Sequence, residues 1–135
     1  AAEELPLFQS KGDEVQGVVN ESDYVDYKVF VPPEMGACTL RIHLKALQGD
    51  SDLFVGNGKN PKPRKKEGEH TWRKEMWGDD KLSIHYWDSA FNLGWYYISV
   101  RGSRVGYDGW CSFTLTARAK PVGDVQERYK QERVV

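Results

Sequence analysis

The chain has 135 residues, 39% of them hydrophobic, 13% aromatic and 29% charged, with a formal net charge of −1. That length accommodates one domain with a core of its own, and the near-neutral balance excludes a global field that would draw the protein to nucleic acid or to an anionic membrane. No apolar run approaches the roughly 20 residues of a membrane-spanning helix, so no transmembrane segment is expected.

The first residues, AAEELPLF, carry no signal-peptide pattern. Segment 15–19 reads as a weak strand, and Asn20-Glu21-Ser22 fits the N-glycosylation acceptor pattern. In segment 24–31, Val25, Tyr27, Val29 and Val31 share one face; Asp26 and Lys28 mark the other, together with Tyr24 and Phe30. Pro32-Pro33 stops this strand, because proline cannot donate to a ladder. Segment 39–47 alternates Leu40, Ile42, Leu44 and Ala46 with Thr39, Arg41, His43 and Lys45, the pattern of a sheet with one wet face.

Segment 52–55 is a short strand. The acids before it, Asp50 and Asp52, are expected to face water or cap a loop, and Gly56-Asn57-Gly58 turns the chain after it. The stretch has neither the ending of a phosphate loop nor the continuation of an EF-hand. Segments 71–73, 81–87, 95–101 and 110–119 supply the remaining strands. Leu82, Ile84 and Tyr86 alternate with Ser83, His85 and Trp87; Tyr96, Ile98 and Val100 with Trp95, Tyr97 and Ser99; and Cys111, Phe113, Leu115 and Ala117 with Trp110, Ser112, Thr114 and Thr116. About seven or eight strands separated by Gly, Asn, Asp and Pro make an all-β, antiparallel sandwich over 1–120. Residues 121–135 read as a charged C-terminal helix, possible from Asp124 onward, or as a linker to a further segment.

Six stretches then stand in a recognisable order: YVDYKVFVP, TLRIHLKAL, GDSDLFV, GNGKNP, GWYYISVRG and GYDGWCSFTLTARA. Together they resemble the bacterial pre-peptidase C-terminal domain family over roughly residues 15–119. The resemblance implies a jelly-roll-like sandwich of accessory, non-catalytic type in a secreted or extracellular setting, related to collagen-binding domains of collagenases. The residues themselves leave a cytoplasmic setting open. In the collagenase relatives, acids near the second strand hold Ca²⁺; Glu21, Asp23 and Asp26 are the matching positions here, so calcium is the one cofactor the resemblance implies.

Other chemistry is sparse. His43, His70 and His85 lie in no nucleophile or zinc motif, and no enzyme activity is expected. Cys38 and Cys111 share the parity of core residues and either bridge or remain as buried thiols, according to whether their strands meet. Trp87, Trp95, Tyr97 and Trp110 fall opposite the core positions. They make either an aromatic platform for a ligand or a second small core under the long loop. Lys59, Lys62, Arg64, Lys65 and Lys66 cluster in that loop, diluted by Glu67 and Glu69. The expected function is an accessory module that binds a protein or peptide surface. The alternatives are a carbohydrate-binding module using the same rings and a calcium-stabilised structural domain.

Overall fold

A computed structural model describes residues 2–8, 14–104 and 109–122. The expected helix or linker at 121–135 therefore lies almost wholly outside the described residues.

Among the described residues ten strands run in chain order: β1 (Glu3–Glu4), β2 (Leu7–Phe8), β3 (Val15–Asn20), β4 (Tyr24–Val31), β5 (Cys38–Gln48), β6 (Asp50–Gly56), β7 (Trp72–Lys74), β8 (Asp80–His85), β9 (Gly94–Arg104) and β10 (Trp110–Pro121). A 3₁₀ turn, Pro33–Met35, starts where Pro32-Pro33 ends β4. One sheet, here sheet A, has the order β1-β4-β9-β6-β7. Sheet B has the order β2-β10-β5-β8, with β3 also on β10. The long pairings are antiparallel; only the two-residue strands β1 and β2 join in parallel. From β3 to β10 every connection except β6–β7 passes from one sheet to the other, which makes the all-β sandwich jelly-roll-like. Among the described residues no helix is long and apolar enough to cross a membrane.

The alternation in the sequence sets the core. Tyr27, Val29 and Val31 of β4 and Tyr96, Ile98 and Val100 of β9 face Leu40, Ile42 and Leu44 of β5 and Phe113, Leu115, Ala117 and Ala119 of β10, all buried. Apolar burial of this kind contributes about 25 cal/mol per Å² removed from water and is the main drive for the two layers to close. At one end of the sandwich lie the connections 32–37, 57–71 and 86–93; at the other lie 21–23, Gly49 and 75–79.

The cysteines are both buried and free. Cys38 pairs with Pro121 at one end of β10, whereas Cys111 sits ten residues away along the same strand, about 30 Å at strand rise. A disulfide requires Cα atoms within about 7 Å, so these two cannot bridge.

One expectation fails in β6. Its acids do not face water: all seven residues from Asp50 to Gly56 are buried. β6 is flanked by β9 and β7 within sheet A, and the loop after it folds back over its outer face. Tyr86 also departs from the core it was expected to join, because β8 ends at His85 and leaves Tyr86 39% exposed.

Candidate functional site

The basic loop is a cover. Arg64 turns inward onto the outer face of sheet A, where its Nη1 and Nη2 donate to Asp26 Oδ1 and Oδ2 at 2.9 and 3.2 Å. Ser99 Oγ also donates to Asp26, at 2.7 Å. The guanidinium stacks 4.2 Å from the centre of the Tyr24 ring, and Tyr24 Oη accepts the Lys65 N–H. His70 Nδ1 donates to the Arg64 carbonyl, and its ring packs on Phe54, which is fully buried outside the inter-sheet core. Thr71 Oγ1 and the Asn60 amide close the loop on itself. A Cβ on Gly56 would collide with the Asn60 backbone, so the return of the chain needs glycine there. Lys59, Lys62, Lys65 and Lys66 stay exposed around this cover.

The calcium candidates separate accordingly. Glu21 bridges to Gly102 of β9, Asp23 is exposed in the turn before β4, and Asp26 lies under Arg64. Burial raises the Asp26 carboxyl, but the hydrogen bonds from Arg64 and Ser99 and the charges of Arg64 and Lys62 outweigh it and leave the group below its ordinary range. Among the described residues no group of three or more His, Cys, Asp or Glu is arranged to hold a metal ion.

The four rings expected to form a platform are not brought onto one surface. Trp95 and Tyr97 are half-buried on the outer face of sheet A, where Phe30 packs 5.0 Å from Trp95 and Lys28 Nζ lies 4.7 Å over its ring. Trp110 opens β10 on sheet B, opposite Asn20. Trp87 follows β8 near the far end of that sheet: His85 and Lys120 both pair with Thr39, ten residues along β10 from Trp110.

Trp87 is nevertheless the centre of a defined site. It is 67% exposed, yet its ring lies parallel to His85, 4.2 Å away at an interplanar angle of 2°. Tyr86 meets it edge-on at 5.0 Å. Thr39 Oγ1 is 3.1 Å from His85 Nδ1, which fixes the imidazole beneath the indole. The loop that follows is pinned at several points. Asp88 accepts from Trp72 Nε1 at 3.0 Å and from the Ala90 N–H at 2.9 Å. Asn57, 7% exposed, donates from Nδ2 to the Ala90 carbonyl at 2.7 Å and to Asn92 Oδ1 at 3.2 Å. Tyr96 Oη donates to the Asn92 carbonyl and accepts the Asn92 N–H. Burial pushes the Tyr96 hydroxyl up to about 12, so it remains a donor throughout the physiological range.

Between loop 57–59 and loop 89–92 this scaffold leaves an open cleft of about 540 Å³, floored by Asn57 and Thr71 and rimmed by Lys59, Ser89, Phe91 and Asn92. The aromatic tier and the cleft share one loop, so a ligand lying across this end would meet flat rings first and amide and hydroxyl groups next. Trp87 was legible in the sequence as a ring outside the core. The cleft residues were not, since they come from segments about thirty positions apart and Asn57 read only as a turn residue.

A second cluster also escaped the sequence reading. At the opposite end Asp50, Asp52 and Asp80 are 5%, 3% and 1% exposed. No protein-family model matches this chain, and no curated protein matches it.

Proposed function

We propose that the chain is a non-catalytic binding module that captures a protein or peptide segment at the end of the sandwich formed by loops 57–59 and 86–92. The observation that carries this reading is a large indole held rigidly in water. Trp87 is two-thirds exposed, but His85 and Tyr86 fix its orientation and the hydrogen bonds of Asp88 and Asn57 fix its loop. A rigid aromatic loses little conformational freedom on binding and serves as the anchor residue of an interface. The adjacent amides and hydroxyls suit the backbone groups of an extended segment. The resemblance to pre-peptidase C-terminal domains in the order of their motifs supports the same class of accessory role.

A carbohydrate ligand is the second reading, favoured by the open face of the Trp87 ring beside an amide-lined cleft, since sugars stack on flat rings and hydrogen-bond to amides. Peptide display on the immobilised protein, run beside affinity electrophoresis through polysaccharide gels, separates the two. Enrichment of peptides that lose binding to Trp87→Ala supports the first reading. Retardation by a polysaccharide, abolished in Trp87→Ala, replaces it with the second. If neither assay responds to Trp87→Ala, the site is not a binding surface for either class.

A further inference from the structure

The acidic cluster at the far end from Trp87 is joined to a loop of unusual exposure. Asp50 Oδ1 accepts the Gly78 N–H at 3.2 Å, and Asp80 Oδ1 accepts the Met76 N–H at 3.0 Å. These two bonds anchor the connection 75–79 together with Asp79, which accepts the Ala46 N–H at 3.1 Å and lies 3.5 Å from His43 Nε2, and with Arg104, 5.5 Å over the Trp77 ring; the tip presents Met76 at 63% and Trp77 at 72% exposure. The anchors themselves are almost dry, and Asp80 Oδ2, Asp52 Oδ1 and Ser51 Oγ have no hydrogen-bond partner among the described residues. An oxygen so buried and unpartnered is costly as part of a carboxylate and tolerable as part of a carboxylic acid.

We propose that Asp50, Asp52 and Asp80 form a proton-binding cluster that keeps a proton in the folded protein near neutral pH, and that loss of this proton loosens the loop bearing Met76 and Trp77.

Charges of both signs surround the cluster. Asp50 and Asp52 come from β6, Asp80 from β8 and Glu75 from the loop itself, all acidic. Lys74 on β7, Arg104 on β9 and Lys65 of the cover supply positive charge nearby, Ser103 donates to Asp52, and the Cys111 thiol on β10 donates to the Asp50 carbonyl. Two of the local cations, Lys65 and Arg73, pair with Glu75 at 3.8 and 3.6 Å. Burial, followed by the charges of Asp50 and Glu75, pushes Asp52 up to about 6. Burial likewise pushes Asp80 up to about 7, helped by Asp52 and Asp50 and opposed by the Met76 N–H and Lys74. Asp50 is raised as well, by burial.

Groups raised in this way contribute stability that is complete below the unfolded carboxylate pKa and is lost as pH rises through about 6 to 7. The same linkage applies to local opening. Any movement of loop 75–79 that admits water lets Asp80 ionise at its ordinary pKa, so opening becomes easier as pH rises. This holds even though each N–H bond is individually stronger to a charged oxygen.

Asp80→Asn keeps an Oδ1 acceptor for the Met76 N–H and removes the titration. The wild-type melting temperature is expected to fall by several degrees between about pH 5 and about pH 8, and that of Asp80→Asn to fall less. The difference between the two proteins is the diagnostic quantity, because it isolates the Asp80 carboxyl. Infrared spectra of the wild type at about pH 6 should contain the carbonyl stretch of a protonated carboxyl, fading above about pH 7. Amide hydrogen exchange, corrected for its intrinsic pH dependence, should show Met76 and Gly78 losing protection several-fold over that interval in the wild type. A protonated-carboxyl band absent at about pH 6, or equal pH slopes in the two proteins, overturns the proton-holding cluster. Constant protection of the Met76 and Gly78 amides overturns its link to the loop. If Asp80→Asn does not fold, the infrared band and the two wild-type amides decide both points.

Discussion

Arg64 shows how one side chain can change the character of a whole surface. As one of five cations in a loop it suggested a charged, hydrated patch; in the structure it is the bolt of a cover, paired to Asp26 in two places and laid on Tyr24. Removing it strands a partly buried carboxylate. Arg64→Ala is therefore expected to lose about 1–3 kcal/mol in urea unfolding, less than a fully buried pair would because both partners keep some solvent. The neighbouring Lys62→Ala and Lys66→Ala should stay within about 0.5 kcal/mol. The Asp26 carboxyl, lowered in the fold, contributes stability that is present above the unfolded carboxylate pKa and lost as pH falls through its own. Below about pH 4, wild-type stability should fall, and Arg64→Ala should show a shallower loss. Asp50 and Asp52 teach the complementary lesson. Two acids beside a serine read as wet, and nothing local shows that the connection 75–79, more than twenty residues further on, will close over this end of β6.

At the scale of elements, the strands that alternate cleanly were readable because alternation is itself the record of burial on one face. β4, β5, β9 and β10 each place their apolar positions in the core as the pattern requires. β1 and β2 were not readable, since two residues carry no period and their parallel pairing depends on where the N-terminal segment falls against β4 and β10. β6 was read too short because the residues it adds, Asp50, Ser51 and Gly56, read as wet or turning, whereas both faces of the strand are covered. The link from β6 to its cover passes through Gly56. Gly56→Ala puts a methyl group into the Asn60 backbone and should destabilise the protein by about 1–3 kcal/mol, with loss of protection at the Asn60 and Thr71 amides in hydrogen exchange. Gly102 faces a comparable contact with the Asn20 backbone, where the turn before β4 is tied to β9 by bonds from Ser22 and to Asp23.

For the whole molecule, two layers packed on a continuous core leave the ends and outer faces as the places where chemistry can differ. The thiols are part of that core. Burial pushes both Cys38 and Cys111 above the ordinary thiol range, and a thiol reagent should label neither in the native state at a rate near that of the unfolded chain. Their separation predicts that mild oxidation produces no intramolecular bridge, which intact mass measured with and without reductant checks directly. The two ends are chemically distinct. One carries a fixed indole beside an amide-lined cleft, and the other carries a buried acidic cluster beneath an exposed methionine and tryptophan.

The role of the Trp87 end is tested most directly by amide NMR. A two-dimensional amide spectrum of the labelled protein would be titrated with a peptide selected by display. The account predicts shifts concentrated at residues 57–59 and 86–92 and at the Trp87 indole N–H, with the outer face of sheet B unmoved. Shifts confined to sheet B around Val18 and Trp110, or to loop 75–79, would contradict it.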